Sequence, residues 1–158
     1  MNNACIIGNG IVGNATGTLL GIKKRFDIDE TKSNITLEEA SRCRYVFICL
    51  PTPVKDGNYV VSDIMEIVRQ IHSYRQGPIF IIRSTVLPGY ADHLFSEIRP
   101  EYVISNPEFL SEATWEKDIK YPPFVVIGGG EGRFREEVKA LYMNVTKQTQ
   151  FIMTDNIT

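Results

Sequence analysis

A glycine-rich turn near the amino end carries the clearest chemical signal in the sequence. Gly8-Asn9-Gly10-Ile11-Val12-Gly13 follows the apolar run Ala4 to Ile7 and precedes a segment predicted to be helical to about Lys24. The first glycine allows a tight turn, the second lets the backbone approach a pyrophosphate, and the third lets helix and strand pack closely. The helix N-terminus adds free N–H groups and a partial positive charge. This spacing predicts a dinucleotide site.

An acidic residue after the second predicted strand indicates which dinucleotide is bound. Asp27 lies at that strand end, beyond the glycine turn by the usual interval. A carboxylate there can accept hydrogen bonds from both adenosine ribose hydroxyls and would repel a 2′-phosphate, so NAD is favoured over NADP. Asp29 competes for this role, because the alternation of Phe26 and Ile28 with the two aspartates fits either register. For Lys32, a position beside the ribose and an ordinary exposed position on the surface are about equally compatible with the sequence.

Two loops after later strands also offer polar groups. Ligands of an open parallel sheet bind outside the carboxyl ends of its strands. In Leu50-Pro51-Thr52-Pro53 the prolines fix the backbone and Thr52 offers a hydroxyl, although a rigid turn would explain the motif too. Ser84-Thr85-Val86-Leu87-Pro88-Gly89 presents two hydroxyls ahead of a predicted helix, and N-capping explains one of them. Thr85 is the better functional candidate.

A third loop carries paired carboxylates. Ser105-Asn106-Pro107-Glu108-Phe109-Leu110-Ser111-Glu112 places Glu108 and Glu112 four residues apart, with Asp118 beyond them. Like charges on one helix face cost energy unless a ligand or a base role compensates, so the pair is a candidate site. A solvated helix start is the alternative. His72 and His93 lie on predicted helices without a partner signal and are expected at the surface.

The elements that position these loops follow from hydrophobic spacing. Short continuous apolar runs predict strands buried on both faces, and i, i+3, i+4, i+7 stripes between them predict helices. The runs are Ala4 to Ile7, Tyr45 to Leu50, Ile79 to Ile82, Tyr102 to Ile104 and Phe124 to Ile127. The stripes are Ile64, Ile67, Val68 and Ile71; Ala91, Leu94, Phe95 and Ile98; Val138, Leu141, Tyr142 and Val145. The alternation predicts an α/β fold, a Rossmann-type doubly wound parallel sheet in three α/β/α layers.

One crossover is too short for this regular alternation of strands and helices. The predicted strand ending near Asp29 and the one starting near Tyr45 leave room only for a short helix, which Thr36-Leu37-Glu38-Glu39 would start as a capping box. A full crossover needs at least about a dozen residues and here would also need another strand. The sequence therefore predicts a shortened second crossover.

Composition limits the class of protein. The 158 residues are 43% hydrophobic and carry 17 Lys+Arg against 19 Asp+Glu, which fits one domain over residues 1–158 with a net charge of −2. This balance argues against nucleic acid or an anionic membrane surface as a partner. No signal peptide and no apolar stretch of about 18 residues is found, so we expect a cytoplasmic protein. The three cysteines lack metal-ligand spacing, and Cys5 and Cys49 are expected in the core.

Four of these motifs together resemble one known family. They are the glycine turn, Val46 to Pro53, Ser84-Thr85-Val86 and Asn106-Pro107-Glu108-Phe109-Leu110, and the resemblance spans nearly the whole chain. They look like the N-terminal NAD-binding domain of the UDP-glucose/GDP-mannose dehydrogenase family. The resemblance implies oxidation of the C6 hydroxymethyl of a nucleotide sugar, as in UDP-glucose to UDP-glucuronate. That oxidation proceeds in two NAD-dependent steps, through a thiohemiacetal and a thioester on a cysteine.

The resemblance also implies roles by position. The implied NAD contacts are Gly8, Asn9, Gly10, Ile11, Val12, Gly13, Asp27, Lys32, Leu50, Pro51, Thr52, Ser84, Thr85 and Glu112. The implied contacts to the nucleotide-sugar substrate are Glu108, Phe109, Leu110, Ser111 and Glu112. Thr85 and Glu112 match the residues that position the hydrolytic water and act as general base, a role that suits a carboxylate near a nicotinamide.

Several departures from the family pattern bear on activity. The segment from Asp27 to Tyr45 is shorter, Tyr121-Pro122-Pro123-Phe124 replaces Pro-Asp-Arg, and Ala113 replaces a glycine. The sequence stops at Thr158, before the family's central helix, its cysteine loop and its nucleotide-sugar domain. We therefore expect this chain to bind NAD but, lacking the nucleophilic cysteine, not to turn over, and not to form the family's homodimer.

Two other interpretations remain open. A stand-alone, non-catalytic module that binds NAD or a nucleotide is favoured by the shortened crossover. Another hydroxyacid or sugar-phosphate dehydrogenase of this fold would have to explain the motif from Asn106 to Leu110 as a coincidence.

Overall fold

A computed structural model gives the fold and describes residues 1–87, 89–90, 98–99, 102–110, 118–119, 122–146 and 149–154. Most of the predicted helix stripe that begins at Ala91, together with His93, lies outside these residues. Within them, no helix is long and apolar enough to cross a membrane.

Nine strands occur in the described ranges, and seven of them form one sheet. In chain order they are β1 (Ala4–Ile7), β2 (Lys24–Phe26), β3 (Tyr45–Ile48), β4 (Val54–Lys55), β5 (Asn58–Tyr59), β6 (Ile79–Ile82), β7 (Val103–Ser105), β8 (Phe124–Gly128) and β9 (Gln150–Thr154). The sheet order is β2-β1-β3-β6-β7-β8-β9, and β4 pairs only with β5. The five predicted apolar runs all contain strands of this sheet, so that prediction is confirmed.

Helices cover both faces, which confirms the three-layer architecture. They are α1 (Ile11–Leu20), α2 (Leu37–Ser41), α3 (Ser62–Tyr74) and α4 (Gly132–Met143), with a 3₁₀ turn at Glu30–Lys32. Cys5 and Ile7 of β1 pack with α2 and α3, whereas Ala4 and Ile6 pack with α1 and α4. Because side chains of a strand alternate between faces, a strand covered on both sides must be apolar throughout.

The sheet differs from the prediction at one junction. All neighbouring strands are parallel except β7 and β8, which are antiparallel and meet at the single pair Ser105 and Gly128. Since both residues end their strands, the rest of β8 extends past the carboxyl end of β7. Asn106 follows this course, because its side-chain amide donates to the Val126 carbonyl at 2.7 Å. Hydrophobic patterns give burial but not strand direction, so the sequence did not reveal this reversal.

The first helix is shorter than predicted. It ends at Leu20 rather than near Lys24, which instead begins β2. Gly21 stops the helix in the left-handed conformation with φ +64°, and the Ile22 N–H donates back to the Gly17 carbonyl at 2.8 Å. A glycine in this conformation is a common helix stop.

The second crossover is as short as the sequence predicted. Only the 3₁₀ turn and the five-residue α2 connect β2 to β3, so β2 is an edge strand. Asn34 lies along its outer side: its side-chain oxygen accepts from the Arg25 N–H at 2.8 Å, and its own N–H donates to the Arg25 carbonyl at 2.9 Å. Its side-chain amide donates to the Lys23 carbonyl at 2.8 Å.

The predicted capping box starts α2. The Thr36 hydroxyl accepts from the Glu39 N–H at 3.2 Å, and the Glu39 carboxylate accepts from the Thr36 N–H at 2.8 Å. These bonds pair two backbone donors that the helix itself leaves free.

Removal of this cap should weaken the short crossover. Thr36→Ala should lower the free energy of unfolding by about 1 kcal/mol, because the Glu39 N–H loses its acceptor. Thr36→Ser keeps the hydroxyl and should retain most of the stability. Urea denaturation measures both, and equal losses for the two variants would show that the cap contributes nothing.

Candidate functional site

The glycine turn packs α1 directly onto the end of β1. A Cβ at Gly13 would lie 1.8 Å from the Gly8 carbonyl oxygen, and a Cβ at Gly8 would lie 2.6 Å from the Cys49 carbonyl oxygen. Gly8 also has φ +90°, which disfavours other residues. Strand and helix therefore approach more closely here than any side chain permits.

Gly10 has a different role, because space is open beside it. A Cβ built there meets nothing within 4 Å, and no side chain caps α1 at this residue. The first N–H groups of a helix have no partner within it. The open space at Gly10 therefore adjoins unpaired backbone donors at the positive end of α1, which suits a phosphate group.

Asp27 is tied to this turn. Its Oδ2 accepts from the Asn9 N–H at 2.7 Å and its Oδ1 accepts from the Asp29 N–H at 3.0 Å. A carboxylate oxygen can accept more than one hydrogen bond, so both retain capacity for ligand hydroxyls. The structure thus brings Asp27 together with the glycine turn.

Asp29, the competing candidate, serves the 3₁₀ turn instead. It accepts from the Thr31 hydroxyl at 2.6 Å, from the Thr31 N–H at 3.1 Å and from the Lys32 ammonium at 3.1 Å. These hydrogen bonds, that of the Thr31 side chain foremost, lower the pKa of Asp29. Lys32 is therefore paired with Asp29 at the rim, and its carbonyl accepts from the Asn9 side chain at 3.0 Å.

Arg25 supports the glycine turn through hydrogen bonds, and it was not identified from the sequence. Its Nη1 donates to the Asn9 side-chain oxygen at 2.9 Å and to the Gly13 carbonyl at 3.2 Å. Burial lowers the pKa of Arg25. A Cβ at Gly17 would lie 2.4 Å from Arg25 Nη2, so the guanidinium occupies the space that this glycine leaves. A glycine inside a predicted helix was the available signal.

The loops after β3 and β6 meet at the same edge of the sheet. The Thr52 hydroxyl donates to the Thr85 carbonyl at 2.7 Å, and both threonines reach the surface. Ser84 is buried, and its hydroxyl donates to the Leu50 carbonyl at 2.7 Å. Ser84 therefore fixes the two strand ends relative to each other, whereas Thr85 and the exposed Pro51 face outward.

The segment after β7 is ordered by its own side chains. Glu108 accepts from the Leu110 N–H at 2.6 Å, and Phe109 is 61% exposed while its ring contacts Phe124 at 4.9 Å between centroids. Ser111 and Glu112, named above as substrate contacts and as a base, lie outside the described residues.

A buried polar cluster supports this segment, and it was not predicted from the sequence. The Asn106 side-chain oxygen accepts from Arg83 at 2.8 Å and from the Tyr142 hydroxyl at 2.5 Å, and Arg83 also donates to that hydroxyl at 2.8 Å. Burial raises the pKa of Tyr142. The cluster lines a cavity of about 330 Å³ that Glu108 and Asp118 also border.

The three thiols are all buried. Cys5, Cys43 and Cys49 are 0%, 3% and 8% exposed. Cys49, at the end of β3, lies nearest the strand-end loops, but burial raises its pKa to about 12. It is therefore a neutral thiol rather than a nucleophilic thiolate at neutral pH.

Comparison with known proteins gives a consistent result. The family model described as "UDP-glucose/GDP-mannose dehydrogenase family, NAD binding domain" matches residues 29–146 of the sequence. The UDP-glucose 6-dehydrogenase of Rhizobium meliloti is 36% identical over 108 residues, 61% of this chain and 25% of that protein. That of Rickettsia felis is 26% identical over 148 residues, 87% of this chain and 32% of that protein. The chain thus spans about a third or less of the length of these curated relatives.

Solved structures show the same fold. A ternary complex of GDP-mannose dehydrogenase from Pseudomonas aeruginosa has a TM-score of 0.84 at 23% identity, over 99% of this chain and 47% of that one. A UDP-glucose dehydrogenase from Pyrobaculum islandicum has a TM-score of 0.83 at 21% identity, over 99% and 47%. The glycine turn and Asp27 precede the residues that the family model matches, so their assignment depends on the geometry above.

The contact between Gly17 and Arg25 predicts a background-dependent effect. In Arg25→Met, adding Gly17→Ala should raise the free energy of unfolding by about 1 kcal/mol, because alanine favours helix over glycine. In the natural background the same substitution displaces the guanidinium from Asn9 and Gly13, which should offset that gain. Chemical denaturation of the four proteins tests this, and identical increments in both backgrounds would contradict it.

Proposed function

Because the chain belongs to the UDP-glucose/GDP-mannose dehydrogenase family, whose NAD-binding domain it matches, we propose that it holds NAD across its strand ends for the oxidation of a nucleotide sugar. NAD is the cofactor of this family's domain. The observation that carries the proposal is the 2.7 Å bond from the Asn9 N–H to Asp27, beside the open space at Gly10. It combines an acceptor for ribose hydroxyls with a place for a pyrophosphate.

The adenosine half of NAD would lie over the glycine turn. Asp27 would accept from the ribose hydroxyls, and the N–H groups at the start of α1 would bind the pyrophosphate. Ile11 is 44% exposed and Ile28, next to Asp27, is 90% exposed. Apolar side chains left in water at this edge suit a purine ring, which covers apolar surface when it binds. Lys32 would lie at the rim, as a neighbour of the ribose.

The nicotinamide half would lie at the joined loops after β3 and β6. The bond between Thr52 and the Thr85 carbonyl fixes these loops, and Leu50 and Pro51 would contact NAD beside them. NAD bound there would accept a hydride from the substrate carbon. Thr85, exposed at the junction, would position the hydrolytic water, and Glu112 would act as general base.

A nucleotide sugar would bind beside the segment after β7. The exposed ring of Phe109 and the carboxylate of Glu108, which is held by the Leu110 N–H, offer an apolar surface and an acceptor for sugar hydroxyls. Ser111 and Glu112 extend the same segment. We assign the substrate to the UDP-glucose type, because relatives over most of this chain are UDP-glucose 6-dehydrogenases.

The full reaction would need a thiol that this chain does not offer. Two-step oxidation of an alcohol to a carboxylate through a thioester requires a thiolate near the substrate carbon. Cys43 precedes β3 and Cys5 lies within β1, so neither is at the carboxyl ends of the strands, and Cys49, the thiol nearest those ends, is buried and held protonated by its surroundings. We therefore propose that these 158 residues act as one NAD-binding domain that does not oxidise the sugar alone.

The shortened second crossover favours a second candidate function. With only a 3₁₀ turn and α2 between β2 and β3, less of the chain stands beside the cofactor than a full crossover would supply. A non-catalytic module that binds NAD or a nucleotide does not require the residues that a full crossover would place beside the cofactor. The two functions differ in whether any nucleotide sugar binds together with NAD.

Cofactor preference tests the assignment of Asp27. The natural chain should bind NAD more tightly than NADP, and Asp27→Ala should narrow the difference. Hydrogen bonds to a charged acceptor contribute about 1.5–3 kcal/mol, so the Kd for NAD should rise about tenfold or more. Asp29→Ala is the matched control and should keep the preference. Calorimetry with equal affinities for both dinucleotides in the natural chain would refute the assignment.

Catalysis is tested separately from binding. The 158-residue chain with NAD and UDP-glucose or GDP-mannose should accumulate no NADH absorbance at 340 nm, because the first hydride transfer is reversible and no thiol is placed to trap the aldehyde it forms. Calorimetry under the same conditions shows whether NAD is bound. NADH formation that persists in a variant lacking all three cysteines would overturn this mechanism.

A further inference from the structure

Two cysteines share one buried cluster beneath the edge of the sheet, away from the proposed cofactor site. The Cys5 thiol, in β1, faces the Ala40 carbonyl at 4.0 Å, and the Cys43 thiol, two residues before β3, faces the adjacent Glu39 carbonyl at 3.9 Å. The Lys24 ammonium lies 3.8 Å from the Cys43 sulfur, and strand pairing sets Lys24 beside Cys5. Three adjacent elements thus bring two thiols and one cation together.

The two thiols of this pair have unequal reactivity. The Lys24 ammonium, 3.8 Å from the Cys43 sulfur, favours the thiolate at Cys43, whereas the Cys5 thiol donates to the Ala40 carbonyl. In the same direction, the neighbouring Cys5 thiol and the charge of Lys24 lower the pKa of Cys43, although its burial opposes this. Cys43 is thus the nucleophilic cysteine and Cys5 the resolving cysteine.

Cys43 is buried, but the elements that cover its sulfur are a partly exposed lysine and a short helix. The residue is only 3% exposed, but Lys24, which contacts its sulfur, is itself partly exposed. The Cys43 thiol also faces the Glu39 carbonyl at 3.9 Å, on the five-residue α2. A helix of one turn opens locally at low free energy, so a small reagent can reach this sulfur. Cys49 belongs to the cluster on the opposite face of the sheet, with Leu20 of α1, and so lies away from this pair.

We infer that Cys5 and Cys43 form an oxidation site, at which a hydroperoxide converts the two thiols into a reversible disulfide. The Cys43 thiolate attacks the peroxide oxygen, the O–O bond breaks, and hydroxide leaves when the peroxide is hydrogen peroxide. Cys43 becomes a sulfenic acid. The Cys5 thiol then attacks the Cys43 sulfur, the S–O bond breaks, and water leaves with the thiol proton. The pair loses two electrons and two protons, and the peroxide is reduced to water.

Mass spectrometry of the intact chain tests this inference. Hydrogen peroxide should lower its mass by about 2 Da, since two thiol hydrogens leave, and dithiothreitol should reverse the change. Peptide mapping should place the link between Cys5 and Cys43 in the natural chain, without need of any variant. A link to Cys49, or no loss of mass, would overturn the inference.

Variants assign the two roles. Cys5→Ser should trap the sulfenic acid at Cys43, detected as a dimedone adduct, and Cys49→Ser, the matched control, should form the disulfide as the natural chain does. Lys24→Met should slow the reaction several-fold, because the thiolate loses its cation. Dimedone labelling of Cys5 in Cys43→Ser, or an unchanged rate in Lys24→Met, would contradict the assigned roles.

Discussion

The contact between α1 and β1 is the constraint on which the proposed site depends. With no side chain at Gly13 or Gly8, the helix lies against the carbonyl group that ends the strand. This fixes the direction of α1, and with it the place where its unpaired N–H groups point. Asn9, held between those glycines, can then donate to Asp27. A larger residue at Gly13 would displace the helix, the turn and the acidic group together.

Both halves of the strand-end region are supported by an arginine from below. Arg25 fixes Asn9 and the Gly13 carbonyl under the glycine turn, and Arg83 fixes Asn106 and Tyr142 under the segment that follows β7. A partly or fully buried guanidinium is expensive unless its donors are used. Here Nη1 of each guanidinium binds backbone, amide or hydroxyl oxygens rather than a carboxylate, which leaves Asp27 and Glu108 free of these cations. The buried Arg83 Nε has no hydrogen-bond partner among the residues that the structure describes.

The sequence predicted the features that depend on local pattern. Apolar runs located five of the nine described strands, the glycine spacing located the turn, and Thr36 located α2. It could not separate Asp27 from Asp29, because alternation at a strand end fits both, and their different partners, Asn9 for Asp27 and Thr31 for Asp29, come from the fold. The resemblance named Ser84 as a cofactor contact, which stays a prediction, but it did not reveal that the Ser84 hydroxyl donates to the Leu50 carbonyl. Contacts between separate elements, such as that of Arg25 with Gly17, do not alter the hydrophobic periodicity of the sequence, so they could not be predicted from it. The same holds for the direction of β8.

The shortened crossover leaves β2 with a free side, and Asn34 occupies it. A strand at the margin of a sheet offers a row of N–H and C=O groups that can recruit a strand from another molecule, the first step of aggregation. Asn34 copies the bonding of such a strand with one residue, since it both accepts from and donates to Arg25 and reaches the Lys23 carbonyl. The strand itself has only three residues, two of them cationic, so it offers few backbone groups with which another strand could pair. Asn34 thus occupies the backbone groups through which this edge would pair with another molecule, and so disfavours self-association.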